Sequence, residues 1–173
     1  MLRIPKPRPE EHHEYYGRYL KLAGEDALAA LRAQSASTPR LLSGLSEAQA
    51  LHRYAPGKWS VKEVVGHLID AERVFSYRAL RIARADPTPL PGFDENAWVP
   101  AGHFDRRPMI DLVAEYQAVR AATVALFSSF EEEALTRVGT ANDSPISVRA
   151  LAHIMAGHEL HHVGLLRERY GLA

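Results

Sequence analysis

The placement of proline constrains this chain more than any other feature. Of its 11 prolines, Pro5, Pro7 and Pro9 crowd the N-terminus, and Pro87, Pro89, Pro91, Pro100 and Pro108 crowd one later segment. Pro39, Pro56 and Pro145 stand alone. Proline lacks a backbone N–H and its ring clashes with the preceding helical turn, so long helices are expected where proline is missing. Four such stretches exist. The first runs from about Glu10 to Gln34, with Tyr15, Tyr16, Tyr19, Leu22, Leu28 and Leu31 near a helical period and Gly17 and Gly24 weakening it. The second opens at Ser60, whose side chain and Glu63 make a capping box. Its stripe of Val61, Val64, Val65, Leu68, Ala71 and Phe75 continues to about Ala83. The third begins near Pro108 and carries Leu112, Val113, Tyr116, Val119, Thr123, Leu126, Phe127 and Phe130. The fourth follows Ser147, carries Val148, Leu151, Ile154, Met155, His158, His162 and Leu165, and stops at Gly171. A short helix is expected at Ser46–His52. No stretch alternates apolar and polar residues for long, so the fold class is all-α: a four-helix bundle with long crossover loops.

The loops themselves carry information. The first two connections span about 25 and about 23 residues, longer than a compact domain needs unless they cross the bundle or serve function. The second, from Ala85 to Arg107, is stiffened by prolines and holds Phe93, Trp98 and Phe104. It is expected to close over a pocket. With 173 residues, one domain spanning 1–173 is expected, with residues 1–9 as an extended arm. Twenty-one basic residues balance 21 acidic ones, which argues against a nucleic-acid partner. No apolar run approaches the ~20 residues of a membrane span, and the N-terminus lacks the apolar core of a signal peptide. A cytoplasmic protein acting on a small molecule is the expectation. The chain has no cysteine, which excludes thiolate metal sites and cysteine nucleophiles.

Nine histidines remain as candidate ligands. His158 and His162 stand at i and i+4, so their side chains share a helix face, and that face is the apolar stripe. A buried imidazole pair needs partners for its nitrogens, and one metal ion would satisfy both. A single such histidine is more often a hydrogen-bonded core residue; the pair shifts the balance. The segment also reads His-Glu-x-x-His, the pattern of certain metalloproteases with Glu159 as base. Those enzymes take a third ligand from further along the chain. Here only the end of the same helix follows, and Glu168 stands about 9 Å further along it. The third ligand must come from upstream. His67, on the apolar face of the second helix, is the best candidate, and His103 in the loop is the second. His153, about 140° round the helix from His158, and His161 point elsewhere. His12, His13 and His52 read as surface residues.

Three groups of residues carry a family resemblance. They are the run from Lys58-Trp59-Ser60 through Gly66-His67 to Arg73, the loop Pro91-Gly92-Phe93-Asp94-Glu95-Asn96-Ala97-Trp98, and the closing His153 with His158-Glu159-Leu160-His161-His162-Val163-Gly164. With these the chain resembles the DinB/YfiT-like superfamily of metal-dependent enzymes, which are unrelated to the DNA polymerases sharing the name. The resemblance covers about Gly17 to the C-terminus. It implies a four-helix bundle holding a divalent metal (zinc, nickel, iron or manganese) through three histidines, which fall on His67, His158 and His162. Many relatives have arginine where this chain has Val163. Relatives include S-transferases using bacillithiol or mycothiol and a maleylpyruvate isomerase, so a low-molecular-weight thiol is an implied co-substrate. The resemblance also implies a homodimer, for which Val119, Thr123 and Phe130 on helix three offer spare apolar surface.

Three neutral imidazoles leave the charge of a divalent ion uncompensated, so a bound water or thiol is acidified. Metal-dependent hydrolysis and thiol transfer both follow. A metal- or ligand-binding bundle without turnover is the alternative. Asp94 and Glu95 are the candidate acid–base carboxylates, Asp70 a candidate for orienting His67, and Trp59, Phe93 and Trp98 the candidate pocket walls.

Overall fold

The computed structural model describes residues 2–173. Two 3-10 turns, Pro9–Glu11 and Glu14–Tyr16, lead into helix α1 (Gly17–Leu20). There follow α2 (Ala27–Leu42), α3 (Glu47–Ala50), α4 (Val61–Ala83), α5 (Glu95–Gly102) and a 3-10 turn at Phe104–Arg106. Then come α6 (Met109–Ser128), α7 (Glu132–Thr136), strands β1 (Val138–Ala141) and β2 (Ser144–Ser147), and α8 (Val148–Tyr170). The long helices α2, α4, α6 and α8 form the bundle. Helix α2 packs on α6 and α8, and α4 packs on the same two. The consecutive helices α2 and α4 are thus diagonal, as are α6 and α8. A diagonal step has to cross the bundle end, which accounts for the length of the α2–α4 and α6–α8 connections; the α4–α6 connection joins neighbouring helices and is long because it carries α5 and the turn at Phe104–Arg106.

Local chemistry sets the helix limits. Ser60 and Glu63 close the expected capping box on α4, and Ser46 and Gln49 close one on α3. Ser147 caps α8, which ends on Gly171 at φ 71°, in the left-handed region that glycine enters without strain. The first helix departs from expectation. Gly24, at φ 72°, breaks the chain, and Asp26 caps a new helix by accepting from the N–H groups of Leu28 and Ala29. That helix then runs through Pro39. The proline sits in its final turn and forfeits a single backbone bond, to the Ser35 carbonyl. Packing on α6 and α8 outweighs that loss.

The short hairpin was not expected from the sequence. Strands β1 and β2 pair antiparallel, from Val138 opposite Ser147 to Ala141 opposite Ser144. Asn142 and Asp143 turn the corner at φ 51° and 57°, the positive pair that a two-residue hairpin loop requires. The proline-rich loop is pinned here: Leu90 donates to the Thr140 carbonyl and accepts from the Asn142 N–H.

Apolar side chains form two clusters along the bundle. One gathers Leu28, Leu31, Phe75, Phe127, Leu151 and Ile154, and the other Leu42, Val65, Ile69, Leu112, Tyr116 and Leu166. On every long helix the changeover between clusters is marked by buried polar residues: Gln34 and Thr38 on α2, Glu72 on α4, Arg120 on α6, Glu159 on α8. Thr123 and Phe130 are buried within this chain, so neither provides a face for a second copy. Among the described residues no helix is long and apolar enough to cross a membrane.

Candidate metal centre

Helices α4 and α8 each carry a glycine just before the histidine that enters the site. A Cβ on Gly66 would overlap the Phe104 ring, and one on Gly157 would overlap the Tyr19 carbonyl. The missing side chains let the 3-10 turn at Phe104 press on α4 and let α1 press on α8. His67 and His158 are thereby walled in. The edge of Tyr19 meets the His158 ring at 5.3 Å between centroids, Trp59 lies 5.0 Å from His67, and Phe75 lies 6.1 Å from His158.

Inside these walls three imidazoles converge. The Nε2 of His158 faces that of His67 at 3.0 Å and that of His162 at 3.1 Å. One ligand nitrogen from each of the three falls within 4.8 Å of the others. Burial holds all three rings neutral: it pushes His67 down to about 4 and His162 to about 3, and pushes His158 well below the usual range. A neutral imidazole has one N–H and one lone pair. His158 Nε2 faces two nitrogens with either one proton or one lone pair, so it cannot make a full hydrogen bond to both. A cation among the lone pairs resolves this. Nitrogens bonded to one ion at about 2.0–2.1 Å stand roughly 3.0–3.4 Å apart, so the donor set fits a divalent ion. The second nitrogen of His162, Nδ1, is buried without a partner.

The remaining sequence candidates separate clearly. His153 is buried and its Nε2 meets the Ile4 carbonyl at 3.0 Å, tying the N-terminal arm to α8. His161 borders the pocket but stands outside the trio. His103 is exposed and in the left-handed region at φ 49°, where it ends α5. Asp70 forms a 3.9 Å ion pair with Arg73 rather than a bond to His67. Asp94 caps α5, accepting from the Asn96 and Ala97 N–H groups, so it is engaged away from the site. Glu95 borders the pocket, and its charge acts on His67. Trp59 and Phe93 line the pocket. Trp98 does not; it is 43% exposed and stacks behind Phe93 at 4.9 Å.

Glu159 points away from the imidazoles, as expected for a residue outside the ligand set. It accepts from Thr38, from the Tyr116 hydroxyl at 2.7 Å and from Arg120. Arg120 also grips Glu72 through two bonds of 2.8 and 2.7 Å. Burial alone would lower the Arg120 pKa; the two carboxylates outweigh it and hold the guanidinium firmly charged. Sequence reasoning missed this network entirely. A signal was present: Arg120 falls four residues after Tyr116 and three before Thr123, inside the apolar stripe of α6.

The histidines open into a cavity of about 580 Å³, within the 300–1,000 Å³ typical of small-molecule sites. Known proteins share this chain's sequence pattern and fold. A protein of Geobacillus kaustophilus provisionally named a metal-dependent hydrolase is 30% identical over 86% of this chain and 88% of its own length. One from Oceanobacillus iheyensis, named likewise, is 24% identical over 73% of each chain. The structure of YfiT from Bacillus subtilis, described as a probable metal-dependent hydrolase with an unusual four-helix bundle topology, superposes with a TM-score of 0.70. That match covers 97% of this chain and 94% of YfiT at 20% identity. A mycothiol-dependent maleylpyruvate isomerase superposes at 0.66 with 14% identity, over 85% of this chain and 60% of that longer one. These likenesses show the shared fold. The family model for the DinB superfamily matches residues 30–166, most of the chain, and the protein therefore belongs to the DinB superfamily.

Proposed function

We propose that this protein is a metal-dependent enzyme that delivers a nucleophile, water or an external thiol, to an electrophilic small molecule bound in the cavity. The convergence of three neutral imidazoles, two buried and one half-buried, on an open pocket carries this reading. A divalent ion held there (zinc, nickel, iron or manganese) supplies Lewis acidity, lowering the pKa of a water or thiol that reaches it. The chain's own residues do the rest. His67, His158 and His162 supply three ligand nitrogens from two helices and leave the pocket side open, the arrangement of catalytic rather than structural sites. Trp59 and Phe93 give apolar walls that exclude water from part of the cavity. Glu95 is the carboxylate placed to accept the proton that the nucleophile releases. A thiol, if used, comes from outside, because the chain has no cysteine.

The test is turnover of activated esters, amides and alkyl halides by metal-loaded protein, with and without an added low-molecular-weight thiol. The proposal expects product whose formation stops with chelator and returns with metal. A thiol requirement selects transfer, and its absence selects hydrolysis. Turnover unaffected by chelator, or by His158→Ala, overturns the proposal.

A further inference from the structure

Arg78 lies on the pocket wall and is 3% exposed. A fully buried guanidinium normally faces a carboxylate. Among the described residues, every other buried arginine or lysine has one: Arg120 has Glu72 and Glu159, and Lys62 has Glu47. Arg78 has no such ion pair among them. Its five N–H donors meet the Pro91 carbonyl and the Tyr16 side chain. Its Cζ stands 5.9 Å from the centres of both the Phe75 and the Phe93 rings. Burial presses its pKa down.

The position matters as much as the missing partner. Phe75 neighbours both the Arg78 guanidinium, 5.9 Å from its ring centre, and the His158 ring, at 6.1 Å, so a single aromatic ring links the guanidinium to the imidazoles. A second arginine, Arg18, lines the same cavity and is held by the Tyr15 and Tyr19 hydroxyls, again without a carboxylate. Among the described residues, Glu95 is the one acidic side chain on the wall. The cavity therefore carries an excess of positive charge before any ion enters.

We infer that Arg78 is the anchor for a carboxylate on the substrate, which would bind with that group beyond Phe75 and its reacting end toward the three histidines. A carboxylate, rather than a phosphate dianion, suits a single buried guanidinium, because one fork binds its two oxygens and one cation balances its single negative charge. The inference deepens the proposed function, since it gives a substrate class to the same pocket. It also stands on its own observation, the unpaired buried cation.

The test uses chelator-stripped full-length protein, so that a failed metal site leaves it intact. Phenylacetate, its uncharged amide and phenyl phosphate are titrated while tryptophan fluorescence and heat of binding are followed. Phenylacetate should bind, the amide about tenfold or more weaker, and Arg78→Met should erase the difference. Because Arg78→Met removes an unpaired buried charge, the ligand-free variant should melt no lower than the wild type. Arg78→Lys, which keeps the charge but not the fork, should recover only part of the preference. Equal binding of acid and amide, unchanged binding in Arg78→Met, or preference for phenyl phosphate overturns the inference. A lower melting temperature in ligand-free Arg78→Met overturns it too, because Arg78 would then serve to tie Pro91 to α4. Metal content is measured separately on the wild type, so loss of the proposed enzymatic role would be seen apart from this result.

Discussion

Replacing Arg120 with methionine removes the cation shared by two buried carboxylates. Glu72 and Glu159 are 5% and 2% exposed, and Arg120 itself is 1% exposed. Methionine fills much of the space but leaves both acids facing each other without a counter-charge. Breaking a buried pair in this way costs about 3–5 kcal/mol, a large share of the roughly 5–15 kcal/mol that holds a domain together. For a chain of this size that corresponds to a fall in Tm of roughly 6–20 °C. The triple variant Arg120→Met, Glu72→Gln, Glu159→Gln removes the stranded charges and should regain much of the loss. Denaturant unfolding of the wild type, single and triple variants at neutral pH measures all of this. A loss below about 1 kcal/mol, or a triple variant no more stable than the single one, would refute the reasoning.

Glu11 anchors the N-terminal segment to the start of α8 through Ser147 and Arg149. Burial alone would raise its pKa, but those partners outweigh it and hold the carboxyl at about 2, down from 4.5. Its stabilisation, about 3 kcal/mol at most, is therefore present above pH 4.5 and lost as pH falls toward 2. The gap in stability between wild type and Glu11→Gln should narrow over that range, and a gap independent of pH would contradict the assignment. Gly157→Ala should push α1 off α8 where the new Cβ meets the Tyr19 carbonyl, costing about 1–3 kcal/mol in thermal unfolding. Trp98→Ala should leave metal content unchanged and weaken ligand affinity only modestly, since Trp98 backs Phe93 rather than touching the pocket; loss of metal in this variant would mean the pocket is drawn wrongly.

Where local signals and tertiary packing agreed, the sequence was readable. Ser60 with Glu63, and Ser147 with Gly171, bracket the two helices that carry the site, and i,i+4 spacing put His158 and His162 on one face. His67 followed from its place on the apolar stripe. The misses have distinct physical causes. Periodicity alone carried a helix through Gly24, although Asp26 beyond it is a strong cap. Pro39 looked like a helix breaker, but tertiary packing overrides the loss of one backbone bond. The Asn142-Asp143 turn signal was overlooked because the strands beside it are only four residues each. The Arg120 network was hidden because charged residues default to solvent, and only the bundle brings Glu72 and Glu159 from two other helices to meet that arginine. The same default hid Arg78. Trp98 was drawn toward the pocket by its aromatic character, whereas the turn of α5 places Glu95 there instead.

The central claim is that His67, His158 and His162 hold one divalent ion, and elemental analysis of untagged protein tests it most directly. The account predicts one ion per chain in the wild type. It predicts loss of that ion in His67→Ala, His158→Ala and His162→Ala, and retention in His153→Ala and His161→Ala. A wild-type protein that takes up no divalent ion, or a His67→Ala protein that keeps it with unchanged affinity, would contradict the account.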